Sequence, residues 1–211
     1  VRDYPVIIAF VSMKGGVGKS TLAVHAYEYA RRNGMSAWLV DMDPQASSSQ
    51  WLDANDPDAN CYHLPNTVDA TQAALERNKD NDWVIIDGGG GLANATKAGM
   101  LMADHILIPT KASRIDYTAT LEVLRLANQV RVERGRDAGS VTVVPSMIMA
   151  GQLMTSNLME ELEELGIPTS SPVHQRTAFA RAASDGNFVW NQRDPHAIAE
   201  IELLMQSIQE K

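Results

Sequence analysis

The 211-residue chain predicts an α/β fold: a mostly parallel, twisted sheet with helices on both faces. Three observations lead there. Short apolar runs alternate with stretches of helical spacing, the pattern of parallel strands buried on both sides. A loop of glycines and lysines, Lys14-Gly15-Gly16-Val17-Gly18-Lys19-Ser20-Thr21, joins the first such run to the first helix. Aspartates then close two of the later strands, on the sheet edge where folds of this class bind ligands.

Element by element, Val6–Val11 reads as a buried strand and Leu22–Ala30 as a helix ending at Asn33-Gly34. Ser36–Asp41 reads as the second strand. Residues 53–66, rich in Asp, Asn and Pro, read as a surface excursion. A helix is expected near Val68–Arg77, then a strong strand, Trp83–Asp87, followed by four glycines, Gly88 to Gly91. Ala93–Met102 reads as a helix and His105–Pro109 as a strand. Thr118–Glu133 carries Leu121, Leu124 and Val130 at amphipathic spacing. Ser140–Val144 is expected to be a strand and Leu153–Leu165 an acidic helix. The last helix runs from Pro195 in its first turn to Gln209. No repeat, low-complexity tract or linker breaks the pattern, so residues 1–211 are expected to form one domain.

Composition narrows the function. A single cysteine, Cys61, excludes an internal disulfide and an all-cysteine metal or iron–sulfur site within one chain. The first residues show no charged-then-apolar leader and no run approaches a membrane span, which points to a cytoplasmic protein. A net charge of −8 argues against a wholly basic nucleic-acid binder but leaves room for a local basic face. The histidines His25, His63, His105, His174 and His196 lack ligand spacing and read as structural or exposed.

The glycine-lysine loop carries the chemistry. Strand, tight glycine turn and helix start make a phosphate cradle, because glycine lets the backbone approach the anion and helix-start N–H groups point at it. Lys19 is placed to neutralise phosphate charge and Ser20 to ligate Mg²⁺. Lys14 is an additional cation in register, which a structural glycine turn does not explain. Hydrolysis also needs a metal and an oriented water. Asp41 and Asp43, at the end of the second strand, and Asp87, ending Val84–Ile86, are the candidates. Pro145 and Ser146, just past a strand end, are positional candidates for the adenine pocket.

Lys14–Thr21, Asp41-Met42-Asp43-Pro44-Gln45 and Val84-Ile85-Ile86-Asp87 together resemble the ParA family of deviant Walker-type partition ATPases, in the ParA/MinD superfamily of P-loop NTPases. Ile106–Pro109 and Arg176–Ala182 before Asp185-Gly186 fit the same pattern. With little chain before the first strand, the resemblance is strongest to the short ParF-like members, which lack an N-terminal DNA-binding domain. The resemblance implies that Lys14 reaches across an ATP-sandwich homodimer to the partner's phosphates. It implies that Lys19 holds the β- and γ-phosphates, Ser20 binds Mg²⁺ and Thr21 lies beside the α-phosphate, with Gly15, Gly16, Val17 and Gly18 forming the cradle. Asp43 would orient the attacking water, while Asp41 and Asp87 support the metal through its water shell. Loss of the γ-phosphate would then release the dimer. Gly88–Gly91 departs from the family, which has a proline-containing turn there. We expect a switch loop that orders with ATP, and slow basal turnover.

The resemblance also implies non-specific DNA binding by the dimer, association with the nucleoid of a bacterial or archaeal cell, and a ParB-like or cargo-adaptor partner. Lys111, Arg114, Arg125, Arg131, Arg134 and Arg136 around one helix, with Arg176, Arg181 and Arg193, are the basic candidates. The final helix carries acid on its polar face, so anionic lipid would repel it and no membrane role is expected. Two other readings stay open: a nucleotide-gated scaffold with little hydrolysis, and an ATP-dependent metabolic enzyme.

Overall fold

Alternation along β1 (Val6–Phe10) sends Ile8 and Phe10 to one face of a sheet and Ile7 and Ala9 to the other. Both faces are therefore apolar, and each needs its own layer of helices. The computed structural model describes residues 5–65, 69–70, 72–73, 76, 81–90, 93–135, 139–149 and 153–209. After β1 the elements follow as α1 (Lys19–Arg32), β2 (Ala37–Asp41), α2 (Ser47–Asn55), β3 (Cys61–His63) and β4 (Trp83–Asp87). Then come α3 (Ala93–Met102), β5 (His105–Thr110), α4 (Arg114–Arg134), β6 (Ser140–Ile148) and α5 (Leu153–Glu164). The chain closes with β7 (Val173–His174), α6 (Thr177–Ser184), α7 (Val189–Gln192) and α8 (Pro195–Gln209).

The seven strands form one sheet in the order β3-β2-β4-β1-β5-β6-β7. Every strand pairing among the described residues is parallel, so the sheet is parallel throughout rather than mostly so. One core packs Leu22, Ala26 and Tyr29 of α1, Val189 of α7 and Ile201, Leu204 and Met205 of α8 on Ile8, Phe10, Leu39 and Ile85. The other packs Met100 of α3, Val123, Ala127 and Val130 of α4 and Leu162 of α5 on Ile7, Val40, Ile86 and Ile108. β1 lies between β4 and β5. The chain leaves it toward β2 on one side and crosses from β4 to β5 on the other, which makes its C-terminal end the switch point of the sheet.

The structure moves several boundaries. α1 begins at Lys19, inside the glycine-lysine loop, and α4 begins at Arg114 because Ser113 caps it by accepting from the Asp116 N–H at 3.1 Å. β6 runs through Pro145, which sits opposite Thr110 at the end of the β5 ladder, where a residue without an N–H is tolerated. Part of the expected surface excursion is the edge strand β3, and α2, β7, α6 and α7 were not marked as elements in the sequence. The helix expected near Val68–Arg77 falls largely outside the described residues, as does Gly91.

Candidate functional site

The loop between β1 and α1 turns on two glycines with left-handed backbone, Gly16 at φ 68° and Gly18 at φ 94°. A Cβ on Gly18 would stand 2.8 Å from Ser146 Oγ, so this position excludes a side chain on two grounds. Gly15 has neither constraint: its backbone is ordinary and nothing lies within 4 Å of where its Cβ would be. Gly18 is also the N-cap of α1, without a side-chain cap and with no acidic residue in the first turn. The first N–H groups of the helix are thus left to an anion.

The two lysines face different surroundings. Lys19 is buried, and its Nζ donates to the Lys14 carbonyl at 3.3 Å. Lys14 is exposed and has no side-chain hydrogen bond or ion pair among the described residues; its N–H donates to Ser12 Oγ at 3.0 Å. Val17 is buried under the loop, and Ser20 and Thr21 are half-buried in the first turn of α1.

Parallel register places Asp41 beside Asp87 at the ends of β2 and β4. Their environments differ sharply. Asp41 Oδ1 accepts from the Asp43 N–H at 3.0 Å, and Oδ2 accepts from the Ser49 N–H at 2.9 Å and the Ser49 hydroxyl at 3.1 Å. Asp41 thereby ties the Asp43 turn to the start of α2, so the structure gives it a positioning part. Asp87 is fully buried, and neither of its oxygens, nor the buried Ser48 hydroxyl, has a hydrogen-bond partner among the described residues. Burial, with the Asp41 charge adding to it, pushes the Asp87 carboxyl up to about 7. The nearby Ser20 and Ser48 hydroxyls and the Lys19 ammonium oppose that rise, although neither hydroxyl reaches hydrogen-bond geometry with Asp87.

An orphaned, buried carboxylate beside a phosphate cradle fits a hydrated cation. No cluster of three His, Cys, Asp or Glu side chains among the described residues is arranged to hold a metal alone. That suits Mg²⁺, which takes few protein ligands and fills its octahedron with water and phosphate oxygens.

Asp43 has both carboxylate oxygens on backbone amides: Oδ1 accepts from Gln45 at 2.9 Å and Oδ2 from Gly90 at 3.2 Å. The glycine loop after β4 is pressed between the two motifs. A Cβ on Gly88 would meet the Phe10 carbonyl at 2.9 Å, and one on Gly89 the Met42 carbonyl at 3.1 Å. One on Gly90 would come 3.6 Å from Lys19 Nζ. Close approach requires glycine at Gly88 and leaves little room at Gly89, a reason the sequence did not disclose, whereas a Cβ at Gly90 would make only ordinary contact. His63 of the unexpected β3 also reaches this turn, its Nε2 donating to the Asp43 carbonyl at 2.8 Å.

Next to Gly18 and Thr21 opens a cavity of about 450 Å³. Ser146 and Met147 of β6 and Met149 just past it line the cavity, together with His174, Gln175 and Arg176. Of the two residues suggested for the adenine pocket, Ser146 lines this cavity, whereas Pro145 is buried in the ladder and is not among the lining residues. Met147 and Gln175 carried no signal in the sequence. A bulge between β6 and β7 puts Met147 in left-handed backbone at φ 55°, which turns its side chain out toward the cavity.

The basic candidates separate. Arg114, Arg125, Arg131, Arg181 and Arg193 are exposed and Lys111 is half-buried. Arg134 instead caps the end of α3, donating to the Met100 and Ala103 carbonyls, and Arg176 is paired with Glu200 at 2.6 Å. Arg136 lies outside the described residues. No described helix is long and apolar enough to cross a membrane.

Known proteins give the same picture. A family model for the CobQ/CobB/MinD/ParA nucleotide binding domain matches residues 8–189. Protein ParA of Rhizobium radiobacter is 29% identical over 122 residues, covering 57% of this chain; the chain spans about half that relative's length, 55%. The ATP complex of a Cyanothece McdA variant has the same fold, with a TM-score of 0.80 at 15% identity over 99% of this chain and 96% of that one. MinD from Pyrococcus horikoshii with Mg-ADP gives 0.75 at 16% identity over 97% and 96%. A match that runs from inside β1 to the start of α7, across this sheet order and this loop, makes the chain a member of the CobQ/CobB/MinD/ParA family of nucleotide-binding domains.

Proposed function

We propose that the chain is a ParA-like, Mg²⁺-dependent ATPase. In this reading ATP-dependent homodimerisation and non-specific DNA binding drive DNA segregation or the positioning of a cargo. The observation that carries it is the division of labour between the lysines. Lys19 is buried within its own cradle, whereas Lys14 stands exposed on the same loop, available to the phosphates of a second copy.

ATP would lie with its phosphates on residues 14–21 and its nucleoside in the cavity beside Gly18 and Thr21. Lys19 releases the Lys14 carbonyl to bind the β- and γ-phosphates, and the α1 N–H groups hold the remaining charge. Ser20 and, through water, Asp87 would hold Mg²⁺, which would supply charge neutralisation at the phosphates. Asp43 orients the attacking water once Gly90 moves off Oδ2, so the glycine loop would order around ATP and couple nucleotide state to the dimer face. Among the described residues, exposed Arg114, Arg125, Arg131, Arg181 and Arg193, with half-buried Lys111, would bind DNA phosphates.

The test combines sedimentation and phosphate release, with and without duplex DNA, over a salt series. Mg-ATP should produce a dimer that binds DNA at low salt and loses it as salt rises. Lys14→Ala should stay monomeric with Mg-ATP while its nucleotide-free melting temperature is unchanged. An unaltered Lys14→Ala dimer would remove the sandwich arrangement. Turnover that demands a small-molecule co-substrate would make the chain a metabolic enzyme, and ATP dimers without hydrolysis would make it a scaffold.

A further inference from the structure

One carboxylate from the C-terminal helix organises a whole wall of the cavity beside the phosphate loop. Glu200 of α8 reaches back to β7 and the start of α6. Its Oε2 accepts from the His174 N–H at 3.0 Å. Its Oε1 accepts from His174 Nδ1 at 2.7 Å, from Arg176 Nη2 at 2.6 Å and from Arg176 Nε at 3.2 Å. Gln175, between the two clamped residues, is itself pinned by its N–H to the Ile148 carbonyl at 2.9 Å, inside the β6–β7 bulge that throws out Met147. Arg176 is in turn the residue that opens α6, whose Thr177, Phe179, Ala180 and Ala183 continue the same wall.

The clamp keeps its charge. Burial pushes the Glu200 carboxyl upward, but the hydrogen bonds from Arg176 and His174 outweigh it and hold the group below the ordinary carboxylate value. Charge-assisted, forked bonds of this kind fix geometry as well as adding energy. Nothing in the phosphate cradle needs them: Glu200 makes no bond to residues 12–21 or to the strand-end aspartates among its described partners. What the clamp shapes is the part of the cavity lining that His174, Gln175 and Arg176 supply, in a cavity also lined by apolar Met147, Met149 and Phe179.

We propose that Glu200 is the positioning residue of the nucleoside subsite: by holding His174 and Arg176 it presets the wall that receives base and ribose, and it contributes nothing to phosphate binding. This rests on the nucleotide reading of the loop. The subsite is preorganised, so a nucleoside entering it has little ordering cost to meet. The last helix, which touches no phosphate, thereby contributes to nucleotide affinity.

The experiment compares two probes, Mg-ATP and Mg-tripolyphosphate, which share the phosphate chain and differ by the nucleoside. Affinities are measured by titration calorimetry for the wild type, Glu200→Gln and Arg176→Lys, with Lys19→Ala as the reference for the loop. Glu200→Gln should weaken ATP about tenfold and leave tripolyphosphate unchanged. Arg176→Lys keeps the charge and loses the fork, so it should move ATP in the same direction and carries the test if Glu200→Gln does not fold. Equal affinity of the wild type for both probes, or variants that weaken both equally or neither, would overturn the proposal. A wild type that binds neither probe, or a Lys19→Ala variant that binds both normally, would instead overturn the nucleotide reading.

Discussion

Replacing Asp87 by asparagine tests how the core tolerates a carboxylate buried with no hydrogen-bond partner among the described residues. In the metal-free protein burial, with the Asp41 charge adding to it, raises the Asp87 carboxyl from 3.8 to about 7. The folded state therefore keeps a proton that the unfolded chain releases near its ordinary value. Stability from this group is full at low pH and falls as pH rises through the interval between those two values. A rise of about three pKa units corresponds to about 4 kcal/mol above pH 7, an upper bound because water entry relaxes a charged site. The amide of Asp87→Asn cannot ionise, so the metal-free variant should be more stable than wild type at pH 8 by up to that amount, about 10 °C in melting temperature for a domain of this size. The difference should shrink toward pH 4. Urea unfolding in EDTA from pH 4 to 8.5, with wild type and variant at each pH, measures it directly. With Mg-ATP the order should reverse, since a hydrated cation would favour the ionised carboxylate and the amide offers no charge. A wild-type-minus-variant difference that does not change with pH would refute the assignment of the raised group to Asp87.

Two further outcomes follow from the same packing. His25 is enclosed in the core with its Nδ1–H donating to the Thr21 carbonyl at 2.7 Å and its Nε2 accepting from the Val189 N–H at 3.1 Å. Burial lowers it from 6.5 to about 4, so its contribution is present above the unfolded value and lost as pH falls between the two, about 3 kcal/mol in all. That slope opposes the Asp87 slope, and the Asp87→Asn variant should expose it as a loss of stability below pH 6.5, readable in the same titration. Gly18→Ala and Gly15→Ala should part company. The first forces a Cβ into left-handed backbone and against Ser146 Oγ, and should cost about 1–3 kcal/mol of folding stability. The second meets open space and should melt normally, yet lose the thermal stabilisation that Mg-ATP gives to wild type.

Much of this site was legible in the chain because its signals are local. Lys14–Thr21 needs only the order strand, glycine turn, helix, and the structure builds that order at the switch point of the sheet. β4, α3 and α8 appear with the bounds that periodicity and terminal residues mark, since each is long or strongly apolar. β3 and β7 were missed because they are short edge strands of two or three residues whose existence depends on a neighbour already in place. β6 runs four residues past the expected Val144, because Pro145 sits at the end of the β5 ladder where its missing N–H is tolerated. The basic residues were indistinguishable as a string; only packing shows that Arg134 caps a helix and that Arg176 belongs to Glu200.

By itself the sequence determined the parallel α/β class, the phosphate cradle and the strand-end aspartates, all properties of contiguous residues whose chemistry does not wait on distant partners. Only the tertiary structure decided how those aspartates divide their work, with Asp41 spent on the turn and Asp87 left without a hydrogen-bond partner among the described residues. It alone brought Gly90 onto Asp43, 47 residues away, and Glu200 onto Arg176, 24 residues away. The physical reason is that burial and long-range hydrogen bonding set the charge state and availability of a side chain, and both are properties of the packed neighbours rather than of the residue.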